Sequence, residues 1–296
     1  MWDHEVDVLC VGDAVGAFAS AVVAADEGVE VLVATPTADD RGWPADQVAD
    51  EETLAYFAAL TDGLPAAPRP AAEVPVRPVR PLTAAERRSR NVPPFYGGRL
   101  TKWTEQCLGS PYGLLHTRVT DWRTTTMRTI DNRPVQVKVI GRIALPTSGG
   151  SVPLAAWLHG QASMRDIDVQ TDARLQRIVF EEGVVIGAVF DTADGPYAVR
   201  ARHGITLAPR VAATVNDDVR GDDEAEVALV SEIGSRFARV ELLAAAPPAP
   251  APPAAAPSAA CSASNRQLPR TLRESRRNRS ENRRSREVNG HPPFGQ

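Results

Sequence analysis

Residues 7–34, DVLCVGDAVGAFASAVVAADEGVEVLVA, carry the pattern that decides the fold. Asp7–Val11 is a short apolar run with β-branched residues, which predicts a buried strand. Residues 12–16 (GDAVG) predict a tight turn, Ala17–Glu27 predicts a helix, and Val29–Ala34 predicts a second strand. A strand, a glycine turn, a helix and a strand within about 30 residues are typical of the first unit of a dinucleotide-binding fold.

The rest of the body alternates short predicted strands with a few helices. The predicted helices are residues 50–61, 99–107 and 153–163. The predicted strands are residues 135–140, 168–171, 175–180, 184–191, 197–201 and 204–208, followed by a hairpin of residues 226–232 and 236–243. The strands within 175–201 form a predicted three-stranded meander, because Gly-containing turns separate them.

A proline-rich segment interrupts this pattern. Residues 64–94 contain 8 Pro. Because proline removes a backbone donor and fixes φ, the segment predicts an extended connector with no regular sheet and no long helix.

Composition places the chain among ordinary globular proteins. The length of 296 residues allows about two domains, and 43% hydrophobic with 24% charged residues is usual for a soluble protein with a sizeable core. The 3 Cys include no CxxC pair, which argues against a disulfide scaffold and against a zinc ribbon. The histidines share no metal-ligand spacing, so no metal site is predicted.

Charge is distributed unevenly along the chain. The segment from Asn265 onward holds 9 Arg and 3 Glu, so a net charge of -4 for the chain leaves the preceding residues strongly acidic. Negative charge on the body repels the phosphate backbone of nucleic acids, so only the basic tail is a candidate for binding nucleic acid. Residues 244–257, Ala and Pro only with 6 Pro, predict a linker, and the tail beyond it is predicted to be disordered.

The N-terminus contains an apolar segment that requires comparison with a targeting signal. Val8–Ala25 is apolar apart from Asp13, but acidic residues including Asp3 and Glu5 precede it. A secretory signal begins with positive charge, so we expect a cytoplasmic protein without a membrane anchor.

The quoted stretch resembles the N-terminal FAD-binding unit of the fumarate reductase and succinate dehydrogenase flavoprotein superfamily, which includes 3-ketosteroid dehydrogenases. Residues 153–208 are similar to the helix, strand, meander and return strand of that superfamily. The resemblance implies an α/β fold with a Rossmann-like FAD-binding domain and a mixed insertion lobe. The implied organisation is an FAD-binding domain of residues 1–63 and 146–210, an insertion lobe of 64–145, a hairpin of 211–243, and a linker with a disordered basic tail of 244–296.

The resemblance also implies the positions of a cofactor site. Its three fingerprint positions fall on Gly12, Ala14 and Ala17, with Gly16 one residue off the pattern. The methyl group of Ala14 lies where the pyrophosphate should approach. Between these positions, Asp13 is an anion-repelling carboxylate or the N-cap of the helix. Thr35 occupies the position where the family has an acidic residue that binds the ribose.

Further departures from the family follow these positions. Pro209-Arg210 replaces a small Gly-rich turn, residues 37–49 lack a Gly/Ser-rich flavin loop, and residues 211–296 show no C-terminal flavin-binding segment. Two functions therefore stay open. One is an FAD-binding oxidoreductase that acts on a small molecule such as an enone or a steroid. The other is a non-catalytic relative without flavin that serves as an interaction, regulatory or partner subunit for another protein.

Candidate catalytic side chains outside this region are few, and no catalytic residue is assigned. Polar residues concentrate between Tyr112 and Arg128, where His116 and Arg118 are predicted to share one face of a strand. The competing interpretation of this segment is a surface strand with solvated charges. Cys10 is predicted to be buried and inert, whereas Cys107 is a possible reactive thiol.

Overall fold

The secondary structure is that of a mixed α/β protein. The computed structural model describes residues 1–12, 15–36, 42–44, 48–64, 74–88, 97–118, 122–145, 153–209 and 224–245. The helices are α1 Val15–Asp26, α2 Glu51–Thr61, α3 Ala84–Arg88, α4 Gly97–Leu108 and α5 Leu154–Ser163. The strands are β1 His4–Val6, β2 Val8–Val11, β3 Val31–Ala34, β4 Val76–Pro81, β5 Gly113–His116, β6 Thr125–Thr129, β7 Pro134–Ala144, β8 Asp168–Gln170, β9 Arg174–Glu181, β10 Val184–Thr192, β11 Gly195–Ala201, β12 Ile205–Leu207, β13 Glu224–Ser231 and β14 Phe237–Ala245.

Four parallel strands confirm the predicted strand–helix–strand unit and its return strand. Their order is β12-β2-β3-β8, with Cys10 level with Thr206 on one side and with Val33 on the other. Helix α1 crosses from β2 to β3, and its residues Val15–Ala24 are all buried. Small side chains dominate this helix, so it packs closely against the strands and against α5.

The meander is present as predicted. Strands β9, β10 and β11 pair antiparallel, and β1 adds a parallel strand at the edge beside β11. This four-stranded sheet is separate from the sheet that contains β2, and short chain segments connect the two between β1 and β2, between β8 and β9 and between β11 and β12.

Five strands of the larger sheet form a closed ring. Each of β13, β7, β6, β4 and β14 pairs with the next, and β14 pairs back with β13. Strand β14 also pairs with β5 through Phe237–Arg239, which joins the ring to the parallel strands. Closure leaves no free edge in the ring, and it unites strands from the predicted insertion lobe with the predicted hairpin.

Strand β4 corrects the prediction that the proline-rich segment contains no sheet. Residues 76–79 pair with β14, and residues 79–81 pair with β6, so only Val79 has ladder neighbours on both sides. Pro78 and Pro81 each pair with one neighbouring strand alone. Proline is tolerated where one side of a strand makes no ladder hydrogen bond, and the prediction failed because it treated every proline as a strand breaker.

Two apolar clusters occupy opposite faces of the ring strands. Val227, Leu229, Val240 and Leu242 face the cluster around α1 and α5. The inner face collects side chains from all five strands, and these are Val79, Met127, Val135, Val137, Ala228, Val230, Phe237 and Leu243. The alternation follows from the two-residue period of a strand.

Several predictions fall outside the described residues, and they stay predictions. These include the linker and disordered tail of 244–296 beyond Ala245, and the loop of 37–49 apart from residues 42–44 and 48–49. Among the helices that the structure describes, none combines the length and apolar character needed to cross a bilayer.

Candidate functional site

The glycine turn lies at the carboxyl edge of the parallel strands. Gly12 follows β2 with φ of 130°, a backbone conformation that residues other than glycine rarely adopt. A Cβ at Gly12 would lie 2.6 Å from the carbonyl oxygen of Ala208, directly after β12. In an open α/β sheet this is the topological switch point, where ligands bind outside the strand ends. Gly12 therefore allows the sharp change of chain direction after β2.

Gly16, in the first turn of α1, lies where neighbouring backbone approaches the helix closely. A Cβ there would lie 2.9 Å from the carbonyl oxygen of Gly113 and 3.1 Å from the Ala208 side chain. Ala17, at the third fingerprint position, is completely buried. The first turn of α1 thus packs against β5 and the end of β12. Asp13 and Ala14, where the resemblance implies contact with a pyrophosphate, lie outside the described residues.

Thr35 lies at the end of β3, as the resemblance implies, but its hydroxyl is already engaged. The Thr35 amide donates to the Gln170 carbonyl at 2.8 Å, and the hydroxyl is 3.4 Å from the same oxygen. The Ala173 amide donates to the Thr35 carbonyl at 2.9 Å. Thr35 therefore ties β3 to β8, and it presents no carboxylate for a bidentate ribose contact.

A buried polar network lies between α1 and the strands. The Thr206 hydroxyl is 2.9 Å from the Ser20 hydroxyl and 2.9 Å from Nδ1 of His116. Ser20, Thr206 and His116 are all buried, and Cys10 lies beside the two hydroxyl groups. The network joins α1, β2, β12 and β5, and its members satisfy one another's polar groups in an apolar setting.

The position of His116 corrects the surface-strand interpretation for the first part of residues 112–128, since residues 112–117 are buried and residues 122–128 are partly or fully exposed. Tyr112 and His116 are buried, and β5 ends at His116. Arg118 lies beyond the strand and donates to the carbonyl oxygens of Arg202 and Val185 at 3.2 and 3.1 Å. His116 and Arg118 therefore do not form the predicted pair, while Asp121 lies outside the described residues. Burial of His116 also removes it from contact with a solvent-borne substrate.

Burial makes His116 a source of pH-dependent stability. Loss of solvation lowers its pKa from 6.5 to about 4, so the folded protein keeps the ring neutral where the unfolded chain binds a proton. We expect the free energy of unfolding to fall by about 2 kcal/mol between pH 7 and pH 5, and further towards pH 4. Urea denaturation at these pH values measures the loss.

The pH dependence has an internal control. His116→Gln should flatten the slope between pH 7 and pH 5, because the titrating group is gone. The exposed ring of His203 provides the comparison, and His203→Gln should retain the slope of the unmodified protein. Equal slopes in all three proteins would contradict a neutral buried His116.

The described cysteines are inert. Burial raises the pKa of Cys10 to about 12, which confirms its prediction. Cys107 is also completely buried, and burial raises its pKa strongly, so the expectation of a reactive thiol there is wrong. The described residues also hold no group of three or more His, Cys, Asp and Glu side chains suited to a metal ion.

A cluster of charged residues on the inner face of the ring was not predicted from the sequence. Glu241 is completely buried and binds two guanidinium groups, those of Arg77 and Arg239. Both Arg side chains lie over the ring of Trp103, at 5.4 and 5.3 Å from its centroid. The sequence did contain a signal for this cluster. Arg239 and Glu241 are charged residues two positions apart in an otherwise apolar strand, so they share one face of it.

The chain is similar to FAD-dependent oxidoreductases at low identity. No protein-family model matches the sequence, and no curated protein matches it. The 3-ketosteroid-Δ4-(5α)-dehydrogenase of Rhodococcus jostii RHA1 is 17% identical, with a TM-score of 0.31 over 69% of this chain and 46% of the other. A flavocytochrome c3 fumarate reductase is 15% identical, with a TM-score of 0.33 over 68% and 33%. Aklavinone-11 hydroxylase, solved with FAD and aklavinone, is 20% identical, with a TM-score of 0.25 over 68% and 32%. The chain therefore spans less than half the length of each of these proteins.

Proposed function

We propose that the protein binds FAD at the glycine turn and acts as an oxidoreductase on a small molecule. The observation that carries the proposal is the position of Gly12, in a turn between β2 and α1 at the switch point beside Ala208. The topology places the N-terminus of α1 at the carboxyl edge of four parallel strands, which is where dinucleotides bind in such sheets.

The described backbone fits this cofactor. The first amide groups of α1, those of Val15 and Gly16, would hold the pyrophosphate, because the first turn of a helix has unpaired N–H groups. Thr35 would contact the ribose through its hydroxyl group, which would give up its long 3.4 Å contact with the Gln170 carbonyl. A bound flavin would supply hydride or electron transfer. The substrate class, an enone or a steroid-like skeleton, follows from the family resemblance of residues 7–34 and 153–208.

A second candidate is a non-catalytic relative that uses this fold to bind a partner protein. Two observations favour it. The hydroxyl of Thr35 contacts the Gln170 carbonyl, and the side chains of Ser20, Thr206 and His116 are buried and bonded to one another. In such a protein the polar network of His116, Thr206 and Ser20 serves stability alone.

Titration with FAD separates the two candidates. We expect quenching of flavin fluorescence to saturate at one FAD for each chain. The absorbance of the complex should then be bleached by dithionite and restored by air. Absence of saturable binding up to millimolar FAD would reject the oxidoreductase and leave the partner-binding protein.

Thr35→Glu should strengthen FAD binding about tenfold, because a carboxylate makes a charge-assisted, bidentate contact with the ribose hydroxyls. The dissociation constant from fluorescence titration measures the gain. Thr171→Glu, one residue after β8 and exposed, adds the same charge beside the same strand end and is the matched control. An equal effect of both substitutions would place the ribose away from Thr35.

A further inference from the structure

The charged cluster on the inner face of the ring lies at one end of that ring. Glu241 and Arg239 belong to β14, and Arg77 belongs to the neighbouring β4. Helix α4 covers this end, since the indole N–H of Trp103 donates to the Phe237 carbonyl at 2.9 Å. Two more charges adjoin the cluster, where Arg99 of α4 pairs with Glu232 at 2.9 Å.

The cluster carries more positive than negative charge. Glu241 accepts from Arg77 at 2.7 Å and from Arg239 at 2.6 and 2.8 Å, so one carboxylate serves two guanidinium groups. Glu232 attracts Arg77 as well as Arg99. Three guanidinium groups and two carboxylates leave one net positive charge, in a body whose remaining charge is acidic.

This excess charge is largely withdrawn from water. The side chains of Arg77 and Arg239 are 16% and 15% exposed and that of Arg99 is 31% exposed, so solvent screens their charges only in part. In addition, Nε of Arg99 is buried and has no acceptor among the described residues. A buried N–H without an acceptor is unfavourable, and an anion bound beside Arg99 would supply one.

We infer that this end of the ring binds an oxyanion, a phosphate or carboxylate group, through Arg77, Arg239 and Arg99. Guanidinium groups match the geometry of both anions, because their N–H donors form a planar fork. The side chains of Arg77 and Arg239 are partly exposed, and both guanidinium groups lie over the ring of Trp103.

This site is independent of the proposed flavin site. The cluster lies on the inner face of β14, with Phe237 and Leu243. Helix α1 and its glycine turn belong to the other apolar cluster, which contacts the opposite face through Val240 and Leu242. If the protein does not bind FAD, anion binding should therefore be unaffected. If it does not bind an anion, FAD binding should likewise be unaffected.

Calorimetric titration of the full chain tests the inference. Inorganic phosphate, phenyl phosphate and acetate are titrated separately at constant ionic strength, with and without excess FAD. We expect one saturable site for each chain that FAD does not block. The three ligands distinguish a free phosphate, a phosphorylated small molecule and a carboxylate.

Three substitutions decide whether the cluster is responsible. Arg99→Gln should weaken binding at least fivefold, and Glu232→Gln should strengthen it, because it removes the carboxylate that competes for Arg99 and Arg77. Arg142→Gln, in an exposed pair with Glu226, should change nothing. The inference is overturned if no ligand gives a saturable isotherm. It is equally overturned if Arg99→Gln binds like the unmodified protein, or if Arg142→Gln has the same effect.

Discussion

Replacing Gly113 with alanine should unfold the protein or reduce its free energy of unfolding by about 4 kcal/mol or more. A Cβ at Gly113 would lie 1.9 Å from the carbonyl oxygen of Cys107 and 2.8 Å from its carbonyl carbon. These are backbone atoms at the end of α4, so no side-chain rotation relieves the overlap. The Gly113 carbonyl oxygen also packs closely against Gly16 of α1, so β5 cannot shift away from α4 to make room.

The effect of Gly113→Ala is measured by urea denaturation, followed by far-ultraviolet circular dichroism. Gly160→Ala is the matched control, because Gly160 is in α5 and no heavy atom lies within 4 Å of the position that an alanine methyl group would take there. Alanine in a helix is favoured over glycine by about 1 kcal/mol, so this control should be as stable as the unmodified protein or more so. Similar stability of the two variants would show that α4 and β5 are less tightly packed than the structure indicates.

The importance of Gly113 marks the limit of what sequence could predict. The unit around α1 was predictable because its signals are local, namely a two-residue strand pattern, a glycine turn and a run of small helical residues. Contact of Gly113 with Cys107 and of Gly16 with Gly113 depends on where α4 and β5 pack, which no local pattern encodes. The family resemblance located Gly12 and Thr35 at strand ends, but it did not indicate that the Thr35 hydroxyl contacts Gln170.

The ring of strands was unpredictable for a related reason. The hairpin of β13 and β14 was predicted from alternation, and β7 was predicted in part, but their mutual pairing is long-range. Strand β4 was not predicted, because Pro78 and Pro81 were taken to exclude a strand despite the alternating apolar and charged residues around them. His116 was misplaced because charged and hydroxyl side chains follow it along the chain, whereas its partners Thr206 and Ser20 come from distant segments.

Glu241→Gln should reduce the free energy of unfolding by about 3 to 5 kcal/mol, because it removes the charge of the carboxylate that binds two partly buried guanidinium groups. Glu241 is completely buried, and every oxygen of its carboxylate is bound by Arg77 or Arg239. Glu226→Gln is the exposed counterpart. Glu226 and Arg142 are 40% and 67% exposed, so water screens the pair, and its loss should change stability by less than about 1 kcal/mol.

A triple substitution distinguishes loss of charge balance from loss of packing. Arg77→Met, Arg239→Met and Glu241→Leu together remove all three charges and keep apolar volume on the inner face of the ring. Replacing a buried ion network with apolar side chains is often neutral or stabilising, so the triple variant should recover most of the stability that Glu241→Gln loses. If the triple variant is as unstable as Glu241→Gln, the cluster stabilises the ring through its hydrogen-bond geometry rather than through neutralisation. Recovery would instead mean that the charges are retained at this position for a purpose other than stability, which is what an anion site requires.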